Sequence, residues 1–311
     1  MKNFLFKKIN NFVKNGNNSF FKKIKNGRNN KVYCFFYKKK KYILKIYNKR
    51  NKNLLLRESK FLSKLKKYNI NNVPKIIYKN NNLNYAIFNF IEGSNIKTIK
   101  KDEILQVVNF IKCIKKISIK NTIAAKDKCS SLKDHIDLIY NRLNISDYYI
   151  HRKLKKDFTN YFNIIKFQEL PKATNMIFNN LNKKTIVKKL SLNELILSPS
   201  DFGFHNVLKK DNKLFFIDFE YAGNDDIKKL ICDFLCQPDF KMSTELKDLF
   251  LRKINFNKNK KLKITNMLIS LHKIKWCLIL LNPFKKTMKK LTLSHYRKTL
   301  KKSQMYFNNS I

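Results

Sequence analysis

Asp201, Asn206 and Asp218 are the residues of this 311-residue chain whose types and spacing most plainly support chemistry. Asp201 and Asn206 stand five apart in Ile196-Leu-Ser-Pro-Ser-Asp-Phe-Gly-Phe-His-Asn206. Asp218 follows twelve residues after Asn206, in Phe216-Ile-Asp-Phe-Glu-Tyr-Ala-Gly223. A short hairpin between the two stretches would set Asn206 beside Asp218. A carboxylate and an amide oxygen there suit Mg²⁺, a hard cation that prefers oxygen ligands. Asp201 would lie nearby, free to accept a proton from a hydroxyl. A base, a metal-holding asparagine and a metal-holding aspartate are the division of labour of phosphoryl transfer to an alcohol. Of the 14 aspartates only Asp201 has an asparagine five residues on.

The elements around these residues are legible in outline. Residues 31–37, rich in β-branched and aromatic side chains, read as a strand. Four lysines at 38–41 read as a solvated turn, and 42–47 as the returning strand. The period then changes over 53–68, where Leu54, Glu58, Phe61, Leu62 and Leu65 share one helical face. Glu58 is unusual there as a carboxylate on an apolar face. Two more strands are expected at 75–78 and 85–91, so the first ninety residues read as strands plus one helix. Glu92-Gly93-Ser94 breaks the pattern. Helices are expected at 101–118, 131–144 and 150–166. A strand-rich island follows, with strands at 194–197, 207–210 and 214–219, and the chain is helical again from Asp226. The Lys/Asn-rich stretches 48–53 and 255–263 read as loops.

The island resembles the catalytic segments of the aminoglycoside phosphotransferase and choline kinase-like enzymes. That family's loop usually reads His-Gly-Asp-x-x-x-x-Asn, followed by Ile-Asp-Phe/Trp-Glu-Tyr-Ala. Here Asp201 matches the catalytic aspartate, Asn206 the loop asparagine and Asp218 the metal aspartate. Asp225 and Asp226 precede a helix carrying Asp233, in the manner of the family's Asp-Pro-x-x-Asp segment. Pro199-Ser200 replaces His-Gly, and Ser198-Pro-Ser-Asp-Phe-Gly-Phe-His-Asn206 is similar to the loop of a bacterial subgroup. The resemblance implies an α+β, bilobal protein-kinase-like fold. A small antiparallel-sheet lobe (1–93) would bind nucleotide, and a mostly helical lobe (94–311) would carry the catalytic and acceptor sites. Lys45, central in a strand, would contact the phosphates of ATP and pair with Glu58. Gly27, Asn29 and Asn30 would belong to a nucleotide-covering loop whose backbone amides cradle phosphate. Phe90 and Ile91 would form the hinge beside the adenine. The cofactors implied are ATP and Mg²⁺, and the partner is a small hydroxylated acceptor such as a sugar or amino alcohol. His205 reads equally as an acceptor contact or a structural residue, and Trp276 as part of a core helix.

Two strings imitate kinase motifs. Asp201-Phe202-Gly203 spells a metal-binding triplet, but its place before Asn206 suits the catalytic loop. His151-Arg152-Lys153 reads as a solvated helix start, and the histidines other than His205 carry no signal.

Composition bounds the alternatives. The 68 Lys+Arg against 21 Asp+Glu give a formal net charge of +47, yet only seven of the basic residues are arginine. Lys, Asn, Ile, Phe and Tyr are over-used together, as an AT-biased coding sequence would produce. A dedicated nucleic-acid binder invests more in arginine, which grips phosphate and guanine bidentately. A basic nucleic-acid-binding protein is therefore the least favoured alternative, behind a catalytically inactive kinase-fold binder. Non-specific attraction to polyanions is expected at low salt. The six cysteines form no C-x-x-C pair and read as reduced, buried thiols of a cytoplasmic protein. No signal peptide and no apolar run of membrane-spanning length is expected.

Overall fold

The computed structural model describes residues 2–15, 20–24, 30–48, 53–254, 259–288 and 290–310. Helix α1 (Lys2–Asn15) precedes strands β1 (Lys22–Lys23), β2 (Lys31–Tyr37) and β3 (Lys40–Ile46). Helix α2 (Asn53–Lys67) follows, then β4 (Ile76–Asn80) and β5 (Tyr85–Asn89). Among the described residues these five strands form an antiparallel sheet in the order β1-β2-β3-β5-β4.

The sheet has two apolar faces, and strand alternation assigns them. Leu44, Tyr85 and Ile87 pack with Phe35 against Ile9 and Phe12 of α1. Tyr47, Ala86 and Phe88 face the other way, toward Leu54, Phe61, Leu62 and Leu65 of α2. Helix α1 is an addition to the single helix expected in this half. Its signal was present in Leu5, Phe6, Ile9, Phe12 and Val13, which recur at helical spacing. The expected four-lysine turn is shorter: Lys38 and Lys39 alone turn, both at positive φ (48° and 59°), and Lys40 and Lys41 already pair in β3.

The chain leaves the sheet at 90–93 and enters β6 (Ser94–Asn95), which pairs with β8 (Val207–Lys210). A Cβ on Gly93 would meet the Lys209 carbonyl oxygen at 3.1 Å, so this crossing favours glycine. Helices α3 (Lys101–Lys115), α4 (Leu132–Tyr140), α5 (Lys155–Ile164), α6 (Leu170–Asn180) and α7 (Lys183–Val187) follow, with one π turn (Ile165–Glu169) between α5 and α6. His151 caps a short 3-10 turn (Arg152–Leu154), consistent with a helix start there.

Strand β7 (Leu195–Ser198) leads into the loop 199–206, and β8 and β9 (Lys213–Phe216) form the expected hairpin. The chain then folds back as β10 (Gly223–Asp226), antiparallel to β7, a pairing the sequence reading did not contain. Polar Gly-Asn-Asp-Asp carries no strand propensity, so only the partner strand makes this segment extended. Helices α8 (Ile227–Leu235), α9 (Thr244–Lys253), α10 (Asn259–Leu280) and α11 (Leu293–Ser310) complete the chain. The loop expected at 255–263 is therefore helical from Asn259 on.

One apolar core joins α2, the inner sheet face, α3, β7 to β9, α8 and α9. A second joins α4, α5, α6, α10 and α11. Trp276 lies in α10, beside that second core, as expected. Cys34, Cys129, Cys232, Cys236 and Cys277 are buried, Cys113 is exposed, and none is in a disulfide. Among the described residues no helix is long and apolar enough to cross a membrane.

Candidate active site

Lys45 lies near the end of β3, paired in register with Val32 of β2 and Ala86 of β5. Strand alternation turns it away from Leu44 and α1, toward α2. Its ammonium is buried and meets three carboxylates: Asp218 Oδ1 at 2.6 Å, Glu58 Oε2 at 2.8 Å and Glu220 Oε2 at 3.0 Å. Glu58 is 2% exposed on the inner face of α2. It also accepts from the Tyr47 hydroxyl at 2.7 Å and from the Phe219 backbone N–H at 3.2 Å. Phe61 stacks on Phe219, so α2 and the 217–220 segment are clamped by packing as well as by charge. A carboxylate on an apolar helix face is costly unless paired, and these partners supply the pairing.

Glu58, Asp218 and Glu220 place carboxylate oxygens within 4.8 Å of one another. Three acids share one ammonium, which leaves an excess of negative charge in a partly dry site. At Glu220, burial, then the neighbouring Asp218 and Glu58, push the carboxyl up to about 7 despite Lys45 beside it. Lys45 itself is held well above its ordinary range, because Asp218, Glu58 and Glu220 together outweigh the burial that lowers it. Asp218 is the open member of the trio, with 43% of its side chain exposed. Its φ of 65° is a conformation aspartate tolerates better than most residues. The donor set is all oxygen and surplus in charge, which fits a hard divalent cation.

The loop 199–206 follows β7 directly. Asp201 keeps about a third of its side chain exposed and shares a hydrogen bond of 3.2 Å with His205 Nε2. Burial raises its carboxyl, but the His205 hydrogen bond and the charges of Lys275 and Lys229 prevail and hold it below the ordinary carboxylate range. It is therefore ionised at neutral pH. Asn206 donates from Nδ2 to the Asp201 carbonyl at 2.9 Å, closing the loop, and its own carbonyl accepts from Ile217 N–H at 2.9 Å. That bond extends the β8–β9 ladder by one step, so the hairpin sets Asn206 across from Ile217, next in chain to Asp218. His205 Nδ1 is buried without a partner among the described residues.

Of the expected site residues, Lys45, Glu58 and Asp218 converge in one cluster, and Asp201 and Asn206 share the loop whose strand ends beside it. Phe90 and Ile91 follow β5 at the crossing between the sheet and the helices, both half-buried, with Lys41 Nζ 3.8 Å over the Phe90 ring. Asn30 is buried; its side-chain amide donates to Glu220 and its Oδ1 accepts from Asn48 N–H. Its side chain thus steadies the carboxylate cluster. Gly27 and Asn29 lie outside the described residues.

Three features escaped the sequence reading. Glu220, two residues after Asp218 in Ile217-Asp-Phe-Glu220, completes the cluster; the segment lies past the end of β9 with Asp218 at φ 65°, so strand alternation does not mark it. Lys229 in α8 is buried against Asp225 at 2.9 Å and Asp233 at 3.4 Å. His135 and His272, which carried no sequence signal, are fully buried and face one another at 3.0 Å between Asp226 and Asp233. Burial holds His135 down at about 4 and His272 at about 3, so both rings are neutral. Nothing local marks such residues, because their partners come from α4, α8 and α10.

No protein-family model matches the chain, and no curated protein matches it by sequence. Solved structures do. Aminoglycoside 2'-phosphotransferase-IIIa in its GDP complex superposes with a TM-score of 0.61 at 13% identity, over 99% of this chain and 99% of that one. Choline kinase LicA from Streptococcus pneumoniae gives 0.60 at 12% identity, over 97% and 98%. The ADP-bound aminoglycoside phosphotransferase APH(2'')-Ib gives 0.59 at 16% identity, over 98% and 99%. At these identities the likeness is one of fold. The chain has the α+β, two-lobed protein-kinase-like fold of these small-molecule kinases, as the sequence resemblance implied.

Proposed function

We propose that this protein is an ATP-dependent phosphotransferase acting on the hydroxyl of a small molecule. The observation that carries the reading is the convergence of the β3 lysine, the α2 glutamate and Asp218 within 3 Å of one ammonium nitrogen. Lys45, fixed by Glu58, would bind the nucleotide phosphates between the lobes 1–93 and 94–311. Phe90 and Ile91 would flank the adenine, and the 27–30 loop would cover the phosphates. Asp218 and Asn206 would hold Mg²⁺, with Glu220 beside Asp218. When bound, that ion would neutralise charge developing on the phosphate oxygens. Asp201, ionised and a third exposed, would orient the acceptor hydroxyl and take its proton. Catalysis would rest on positioning and electrostatics rather than on covalent participation.

The fold neighbours act on aminoglycosides and choline, so the fold does not select an acceptor. The +47 charge disfavours a polycationic one, since like charges repel, and favours a neutral or anionic sugar. A phosphoryl-transfer screen over sugars, amino alcohols and aminoglycosides tests the reading. Magnesium-dependent transfer to one acceptor is the expected result. No stabilisation of the fold by any nucleotide would overturn it. Nucleotide binding without turnover on any acceptor or water would favour the inactive binder, the reading that Pro199 in the loop motivates.

A further inference from the structure

We propose that Lys229 is a positioning residue of the catalytic loop: its buried ammonium, presented by α8, holds the Ser200 hydroxyl and with it the turn that aims Asp201. The proposal rests on the phosphotransferase reading for what Asp201 does, but not for the bracing itself.

Ser200 immediately precedes Asp201 and has φ 68°, a left-handed conformation that side chains with a Cβ rarely adopt. Such a conformation persists only where its surroundings over-determine it. Ser200 is 6% exposed, and each of its polar groups is held. Its N–H donates to Ser198 Oγ at 3.1 Å, and its carbonyl accepts from Phe202 N–H at 3.0 Å. Its hydroxyl donates to the Lys126 carbonyl at 3.3 Å and accepts from Lys229 Nζ at 3.4 Å. The roles are consistent, since a hydroxyl has one proton to give and lone pairs to receive.

Lys229 cannot wander. It is 3% exposed, and it is flanked by Asp225, four residues before, and Asp233, one helical turn after. Asp225 is itself fixed by the backbone N–H groups of Cys129 and Asp226, at 2.8 and 2.9 Å. It sits on β10, whose pairing with β7 sets the level of the loop. The packing there leaves no slack: a Cβ on Gly223 would meet Ala125 N at 2.3 Å. The lysine is therefore a rigid donor at fixed height above the start of the loop. It braces the stretch in which Pro199-Ser200 replaces the more usual His-Gly.

Amide hydrogen exchange across 199–206, with steady-state ATP hydrolysis, tests this in wild type, S200A, K229M and K228M. Alanine keeps the Cβ and the backbone strain of Ser200, so S200A removes the hydroxyl alone. Lys228 is on the same helix but pairs with Asp226 and does not touch the loop, so K228M is the control. S200A and K229M should speed exchange at the Asp201 and Phe202 amides. They should lower kcat by ~10- to 100-fold, with KM for ATP changed by less than about threefold. The double variant should lose no more than K229M, because both substitutions cut one link. K228M should match wild type in both readouts. K229M also strips Asp225 and Asp233 of their cation, so S200A carries the test if K229M does not fold. Loop exchange in S200A indistinguishable from K228M, or additive losses in the double variant, would overturn the proposal. A wild-type chain that hydrolyses no ATP would count against the phosphotransferase reading instead, and the exchange data would still decide the bracing.

Discussion

Replacing Lys45 by methionine removes the one cation that Glu58, Asp218 and Glu220 share. At an effective dielectric of about 20, an ion pair at these separations is worth roughly 6 kcal/mol before desolvation is counted. Most of that is consumed by burying the charges, and Asp218 is screened by its exposure. Breaking a buried pair by deleting one partner typically costs about 3–5 kcal/mol, the range expected for Lys45→Met. For a chain of this size that is a fall in Tm of roughly 5–8 °C. The loss has a pH signature. Glu220 titrates at about 7, above the ordinary glutamate value of 4.5. Its contribution is therefore full below pH 4.5 and is lost as pH rises through 7. Lys45 is among the groups pulling that pKa down, so without it Glu220 must move higher still. At pH 6 Glu220 is protonated in both proteins; at pH 8 wild type carries it ionised and the variant pays to do so. Because pH 8 lies about one unit above the wild-type value, the deficit there should widen by at most about 1.4 kcal/mol, however far Glu220 rises. Thermal melts at pH 6 and 8, with Mg²⁺ or chelator, measure this. Mg²⁺ should restore part of the deficit by supplying the missing positive charge. A variant as stable as wild type at pH 8, or a deficit equal at both pH values, would refute the electrostatic account of the cluster.

Asp201→Asn should abolish acceptor phosphorylation, by ~10²- to 10⁴-fold in kcat, while MgATP still raises the melting temperature; turnover kinetics and thermal shift separate the two. Asp218→Ala should remove the magnesium-dependent part of nucleotide stabilisation, seen by calorimetry with and without chelator. Mg²⁺ binding at pH 7 should release protons as the ion displaces them from Glu220, and Glu220→Gln should suppress the release; titration in buffers of different ionisation enthalpy reads it directly. For the same reason apparent Mg²⁺ affinity should rise from pH 6 to 8, and a pH-independent affinity would contradict the assignment of Glu220.

Local pattern alone determined a good part of this protein. Alternation over 31–47 produced a hairpin with Lys45 on its inner side, and the 3.6-residue period of 54–65 put Glu58 on the buried face of α2. The short Asp211-Asn212 turn returned the chain so that Asn206, just before β8, came across from Ile217, just after β9 and next to Asp218. These are near-neighbour effects, carried by propensity and periodicity within a few residues. Tertiary structure decided the rest. Gly223–Asp226 is a strand only because β7 is there to pair with it. Glu220 reaches a pKa near 7 only because folding buries it and because α2 and the 217–220 segment bring two more acids within 4.8 Å. Lys229, one lysine among 61, becomes a structural cation only where burial removes water and two aspartates replace it. Charge identity is written in the chain. Its energetic meaning depends on the dielectric and the partners, which distant segments supply on folding.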